Sequence, residues 1–425
     1  MRIEQYKEKG LKFDFGKEGF RNGIYFLKEP LSVEDARRKG AEAISVLKKL
    51  KAGEGNIKLA GLSAEMKEAF FEGAILADYT FDKYRKKEEE SREVVLYVDE
   101  REGLDTALKI GEVVYFVRDI INDSPENINP ESFSEIAKSL KGVDVFVGDE
   151  KWLKENGFNG TIAVGKGSSK PPRVVIYRYK PDKPAGKIVL VGKGVTFDSG
   201  GLHLKPAKSI KGMHMDMSGA AAVLGIAKAI EHMKFKYEIV GIMPLAENLP
   251  SSKSYKPSDV VEMANGKTVE VDNTDAEGRL LLADALIYSE KENPDLVVDL
   301  ATLTGAAVVA LGELVAALYS REEEDAREFE MASKRTGEYV WRMPLFEDYK
   351  EELKSKRADI KNAGYGRSGG SIMAALFLGE FIELERWVHL DIAGPAMLSK
   401  PFYYMPEGGT GFGVRLLIQY LRGEK

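Results

Sequence analysis

Apolar residues recur at helical spacing through Val33 to Lys51 and again through Ala64 to Phe81, and this period predicts two amphipathic helices. A third helical pattern runs from Leu104 to Ile121, and ESFSEIAKSL resumes the same period beyond Pro130. Shorter apolar runs predict strands. One is VVLYV, Val94 to Val98; the others are Thr161 to Val164, Val174 to Tyr179, Ile188 to Val195, Glu238 to Leu245, Leu296 to Leu300 and Val388 to Ile392. Asn265-Gly266, set between VVEM and KTVEV, predicts a tight hairpin.

The spacing of these elements divides the chain. NDSPENINP, Asn122 to Pro130, collects turn formers and two prolines, and 425 residues exceed what one core usually supports. The pattern predicts a small amino-terminal α/β domain with its linking helix at 1–121. A larger domain follows at 122–425, where strands alternate with helices. Such alternation predicts an α/β/α domain with a mixed, largely parallel central sheet.

Composition narrows the chemistry. No apolar run reaches the roughly 18 residues of a membrane span. The first twenty residues alternate charges with single apolars, unlike a signal peptide, so a cytoplasmic protein is expected. With 62 basic against 68 acidic residues and no basic tail, there is no electrostatic footprint for nucleic acid. The charge runs KKEEE (Lys86 to Glu90) and REEED (Arg321 to Asp325) read as solvated faces. Cysteine is absent, which excludes disulfides and thiolate chemistry, and only four histidines occur. A metal site here must lean on oxygen ligands.

Candidate chemistry gathers between Lys193 and Arg279. VGKGVTFDSGGLHLKP runs from a strand into a glycine-rich loop, carrying Lys193, Asp198 and Lys205 beyond a strand end. It lacks the Gly-Lys-Ser/Thr ending of a phosphate loop. Asp216 precedes the small-residue helix MSGAAAVLGIAKAI and could serve as its N-cap. Thr274 and Glu277 in NTDAEGRLLLADAL match a capping box. Taken together, however, Asp198, Asp216, Asp275 and Glu277 would repel one another without a counter-charge, and two divalent cations would supply it.

VGKGVTFDSGG, MDMSGAA and above all NTDAEGRL resemble the leucyl aminopeptidase (cytosol aminopeptidase) family of dinuclear metallopeptidases, over the carboxyl-terminal two-thirds of the chain. The resemblance implies one metal held by Lys193, Asp198, Asp216 and Glu277, and a second held by Asp198, Asp275 and Glu277. Zinc and manganese both suit such a site. It further implies Lys205 as the cation for a developing oxyanion and Arg279 as the holder of a bicarbonate that shuttles protons. Met213, Thr302, Leu303, Gly305 and Ala393 would line a pocket for a leucine-like side chain. His214 falls at a position that varies among relatives, and His203 reads as a surface-loop residue. GYGRSGGS (Gly364 to Ser371) is either a flap or a glycine-rich helix entry. Relatives form hexamers that act on short peptides. Two rivals stand beside this reading: a two-metal phosphoesterase, and a DNA-binding regulator, which the charge balance disfavours.

Overall fold

The structure is a computed structural model, and it describes every residue except 17–18, 22–23, 87–92, 365–367 and 424–425. Most of KKEEE therefore lies outside the described residues. The chain divides into two compact units, Met1–Phe116 with Leu398–Thr410, and Val117–Met397 with Gly411–Lys425. This division falls inside a helix rather than at the turn formers of Asn122 to Pro130.

In the first unit, helices start where serines cap them. Ser32 accepts from Asp35 N to open α1 (Val33–Lys49), and Ser63 accepts from Met66 N to open α2 (Ala64–Asp78). Six strands, β1 (Arg2–Gln5), β2 (Leu11–Phe15), β3 (Gly19–Arg21), β4 (Ile24–Leu27), β5 (Glu54–Ile57) and β6 (Val95–Val98), form a sheet in the order β1-β6-β5-β2-β4-β3. Phe13, Phe70, Phe71 and Leu96 are in its core. Helix α3 (Leu104–Asn122) runs from this unit into the second.

The second unit continues with α4 (Pro130–Lys138), β7 (Asp144–Gly148), α5 (Glu150–Glu155), α6 (Asn159–Gly165), β8 (Arg173–Tyr179), β9 (Lys187–Gly192), β10 (Gly194–Asp198), α7 (Ala207–Ile210), α8 (Ser218–Ile230) and β11 (Glu238–Asn248). Strands β12 (Val260–Glu262) and β13 (Thr268–Glu270) pair antiparallel about Gly266, whose φ of 84° fits the expected hairpin. Then come α9 (Gly278–Glu290), β14 (Leu296–Ala301), α10 (Gly305–Leu311), β15 (Val315–Ser320), α11 (Glu323–Thr336), β16 (Tyr339–Arg342), β17 (Ile360–Lys361), α12 (Gly370–Gly379), β18 (Trp387–Asp391) and α13 (Val414–Arg422). The main sheet runs β16-β15-β18-β14-β9-β11-β8-β7, with β10 also on β11. Its centre, β18-β14-β9-β11, is parallel, and β15, β8 and β7 bring in antiparallel pairings. The mixed, largely parallel sheet expected from the alternation is what forms.

One local expectation fails and another holds only in part. Thr161 to Val164 is not a strand but lies inside α6. Its first turn is capped from a distance: Asp284 of α9 accepts from Gly160 N (3.3 Å), Thr161 N (2.7 Å) and Thr161 Oγ1 (2.8 Å). A short apolar run is ambiguous between strand and helix, and this tertiary cap decides it. REEED is a solvated face only in part, with Glu322, Glu323 and Glu324 exposed. Asp325 is buried and paired with Arg386 at 2.5 Å, while Arg321 donates to the carbonyls of Gly379, Ile382 and Leu384. No helix among the described residues is long and apolar enough to cross a membrane.

Candidate active site

Parallel strands end along one edge of the central sheet, and side chains just past those ends escape the pleat. Lys193 follows the last residue of β9, Asp198 closes β10, Asn248 closes β11 and Thr302 follows β14. The backbone pins Lys193 in place, since its N–H donates to Leu300 O and its carbonyl accepts from Ala220 N at the start of α8. Its side chain passes Gly278, where a Cβ would sit 2.4 Å from Lys193 Cε. The glycine of NTDAEGR thus leaves room for the lysine of VGKG.

The side chains converge. Lys193 Nζ lies 2.9 Å from Asp216 Oδ2, 2.9 Å from Glu277 Oε1 and 2.8 Å from Thr302 O. Lys205 Nζ lies 2.8 Å from Asp198 Oδ2 and 2.5 Å from Asp275 Oδ1. Asp198, Asp275 and Glu277 can each present one oxygen, with all three within 4.8 Å of one another. All five residues expected around the metals, and Lys205, therefore belong to one cluster.

Helix α8 begins after Met217 and α9 after Glu277, and neither start has a side-chain cap hydrogen bond. Asp216 Oδ1 instead accepts from Thr302 Oγ1 at 2.8 Å, and Thr274 Oγ1 donates to Gly200 O at 2.7 Å. Buried Glu277 Oε2 has no hydrogen-bond partner. An orphaned, buried carboxylate oxygen is costly unless a cation meets it.

Electrostatics tell the same story. Burial, with Glu277 nearby, pushes Asp198 up to about 6, and burial lifts Asp216 well above its ordinary value and raises Asp275 as well. Burial also works against Glu277, but Lys193 and Lys205 outweigh it and hold its pKa down. Burial disfavours the Lys193 ammonium, yet Asp216 and Glu277 more than compensate and raise its pKa. The set thus binds positive charge strongly. A dication shared by these carboxylates would take over the role of the lysine proton and leave Lys193 a neutral amine able to ligate. The donor set of four carboxylates and one amine fits hard or borderline divalent metals.

Arg279 is almost fully buried, and burial pulls it down to about 10. Its Nη1 donates to Asn362 O at 2.6 Å, while its Nε is unpartnered. It lines, with the carboxylate cluster, a cavity of about 1190 Å³. Met213, Thr302, Leu303, Gly305 and Ala393 line this same cavity, as do His203, Met343 and Met373. His203 Nδ1 accepts from Thr274 N at 3.1 Å, so the neutral ring carries its proton on Nε2. His214 sits in a 3-10 turn at Met213–Met215, is not among the lining residues, and is lowered by burial. Of GYGRSGGS, residues 365–367 lie outside the described residues; Gly369 takes a left-handed φ of 64° where α12 begins, and Gly364, Gly369, Gly370 and Ser371 border the cavity.

Several supporting residues carried no sequence signal. Asn248 Nδ2 donates to Asp198 Oδ1 (2.8 Å) and to Thr274 O (2.9 Å), tying the two carboxylate-bearing loops together. Asn362, fully buried, accepts from Asp272 N and Asn273 N and donates to Asn273 O and Ala276 O, which fixes the NTDAEGR turn. Isolated asparagines in loops look like ordinary turn residues until the fold brings their partners to them.

Comparison with known proteins gives this geometry a context. A model of the cytosol aminopeptidase family catalytic domain matches residues 115–418, and one of the family's N-terminal domain matches residues 27–88. The chain belongs to the cytosol aminopeptidase family. Among its relatives, a probable cytosol aminopeptidase of Aquifex aeolicus is 46% identical over 370 residues, covering 85% of this chain and 75% of the relative. Another from Persephonella marina is 43% identical over 411 residues, covering 92% and 83%. The structure of the bottromycin maturation enzyme BotP in complex with Mn superposes with a TM-score of 0.86 at 38% identity, covering 92% of this chain and 88% of that one. A tomato leucine aminopeptidase mutant gives 0.84 at 34%, covering 92% and 79%. Like the family, this chain is a metal-dependent aminopeptidase, a hydrolase acting on peptides. The N-terminal match extends the family beyond the two-thirds that the motifs marked.

Proposed function

We propose that this aminopeptidase removes leucine-like residues from the amino terminus of short peptides with two divalent metals per chain. The observation that carries this is the meeting of Asp198, Asp275 and Glu277 oxygens within 4.8 Å, beside Lys193 and Asp216. Lys193, Asp198, Asp216 and Glu277 would hold one metal, and Asp198, Asp275 and Glu277 would hold the other. Zinc or manganese fits these donors, and the manganese of the BotP complex supports the second. When bound, the metals supply Lewis acidity toward water and the scissile carbonyl.

The chain's own groups do the rest. Lys205, held at the cavity by Asp198 and Asp275, donates from Nζ to the oxygen that gains charge as the carbonyl carbon becomes tetrahedral. Arg279, with its unpartnered Nε, would hold an anion, for which we assign bicarbonate, and the anion would supply a proton shuttle between water and the leaving amine. Met213, Thr302, Leu303, Gly305 and Ala393 receive the first side chain. The names of the relatives support a cytoplasmic location, and we assign a homohexamer, which light scattering on the purified protein tests.

Steady-state assays with leucyl, acetyl-leucyl and aspartyl anilides, alongside an aryl phosphate, test the reaction. Cleavage of the leucyl substrate alone is expected. Cleavage of the acetylated substrate would refute dependence on the free amine, a preference for aspartyl would refute the apolar pocket, and turnover of the phosphate would favour the phosphoesterase.

A further inference from the structure

Asp391 ends β18 and is buried, yet it does not line the cavity. Its carboxylate nevertheless collects the cavity wall from three places in the chain. Oδ1 accepts from Leu303 N (3.1 Å), Thr304 N (3.3 Å) and Ala393 N (3.2 Å). Oδ2 accepts from Thr304 Oγ1 (2.6 Å) and Ser371 Oγ (3.4 Å). Leu303, Thr304, Ser371 and Ala393 all border the cavity, and they come from the loop after β14, the start of α12 and the loop after β18.

We propose that Asp391 is the positioning residue that sets the shape of the substrate side-chain pocket. This rests on the pocket assigned above. A carboxylate offers about four acceptor sites on its two oxygens, more than an amide or a hydroxyl, and the five donors share them. Thr304 in turn caps α10 by accepting from Ala307 N at 3.0 Å, and Tyr319 donates to Ser371 at 2.8 Å, so the held segments are themselves anchored. Next to the held loop, Thr302 reaches the metal cluster through Asp216 and Lys193. Releasing Leu303, Thr304 and Ala393 together loosens the pocket without removing any proposed metal ligand.

The test compares kcat/KM for leucyl and alanyl anilides in the metal-loaded wild type, Asp391→Ala, Asp391→Asn and Thr304→Val, with metal content measured in each. In Asp391→Ala the leucyl-to-alanyl ratio should fall about tenfold or more at unchanged metal content, the scale of misfitting a methylene or two. Asp391→Asn keeps the Oδ1 acceptor for three backbone N–H groups and should restore most of the ratio. Thr304→Val should lower it less than Asp391→Ala and supplies the reading if Asp391→Ala does not fold. A merely structural residue would lower the active fraction equally for both substrates, so an unchanged ratio in Asp391→Ala, or in Thr304→Val should the former not fold, overturns the proposal. A wild type without preference between the two substrates overturns the pocket itself, and this inference with it.

Discussion

Replacing Asp284 with asparagine should change how stability depends on pH, and the sign is informative. Asp284 is buried beneath α6, where Gly160 N, Thr161 N and Thr161 Oγ1 donate to it. Burial pushes its carboxyl from 3.8 up to about 7, with the three donors opposing. Between these values the folded chain keeps a proton that the unfolded chain has released. Stability contributed by this group is therefore complete below pH ~4, falls as pH rises, and levels off above ~7. The rise from 3.8 to about 7 corresponds to about 4 kcal/mol. Asparagine has no proton to lose in this range. In urea unfolding at several pH values from 4.5 to 8, the variant should gain on the wild type by up to ~4 kcal/mol, and proton-linked metal loss cancels in the difference. If the wild type instead gains on the variant as pH rises, the donors outweigh burial and the argument is wrong. Asp284→Ala, which orphans all three donors, should cost about 3 kcal/mol near pH 5.

The same residue shows what the sequence could and could not reveal. Helices α1 and α2 were legible because an apolar period and a serine cap lie in the same stretch of chain. The central strands β8, β11, β14 and β18 were legible as apolar runs bounded by turns. By contrast α6 read as a strand, because the group that caps it lies more than a hundred residues away on α9. The apolar run at Ile188 to Val195 is interrupted at Lys193, where β9 gives way to β10, and the interruption is what frees the lysine side chain. The site's charged residues stood out through their motifs, which also matched helix caps; geometry separated the two readings. Asn248, Asn362 and Asp391 were invisible because their roles consist of partners that only the fold supplies.

Other perturbations have defined outcomes. Gly278→Ala places a methyl against Lys193 Cε and should displace that side chain, lowering metal affinity and activity together; normal metal content with normal turnover would show that the lysine can relocate. Lys205→Ala should lower kcat by about 10²–10³-fold while metal content stays constant, as for loss of one oxyanion donor; an empty metal site would instead make Lys205 part of the metal machinery. Exchanging leucine for methionine in an anilide substrate should shift kcat/KM by only about 1–3 kcal/mol, and a larger effect would mean a tighter pocket than the cavity suggests.

The most direct test of the central claim is metal stoichiometry set against activity. Protein stripped by chelator should be inactive and regain activity as zinc or manganese is returned, reaching a plateau at two metals per chain by elemental analysis. Glu277→Gln and Asp198→Asn, each removing one bridging charge, should fail to hold the pair and should lose activity by orders of magnitude. Full activity in the stripped protein, or in either variant, would contradict the assignment of this carboxylate cluster as a two-metal centre.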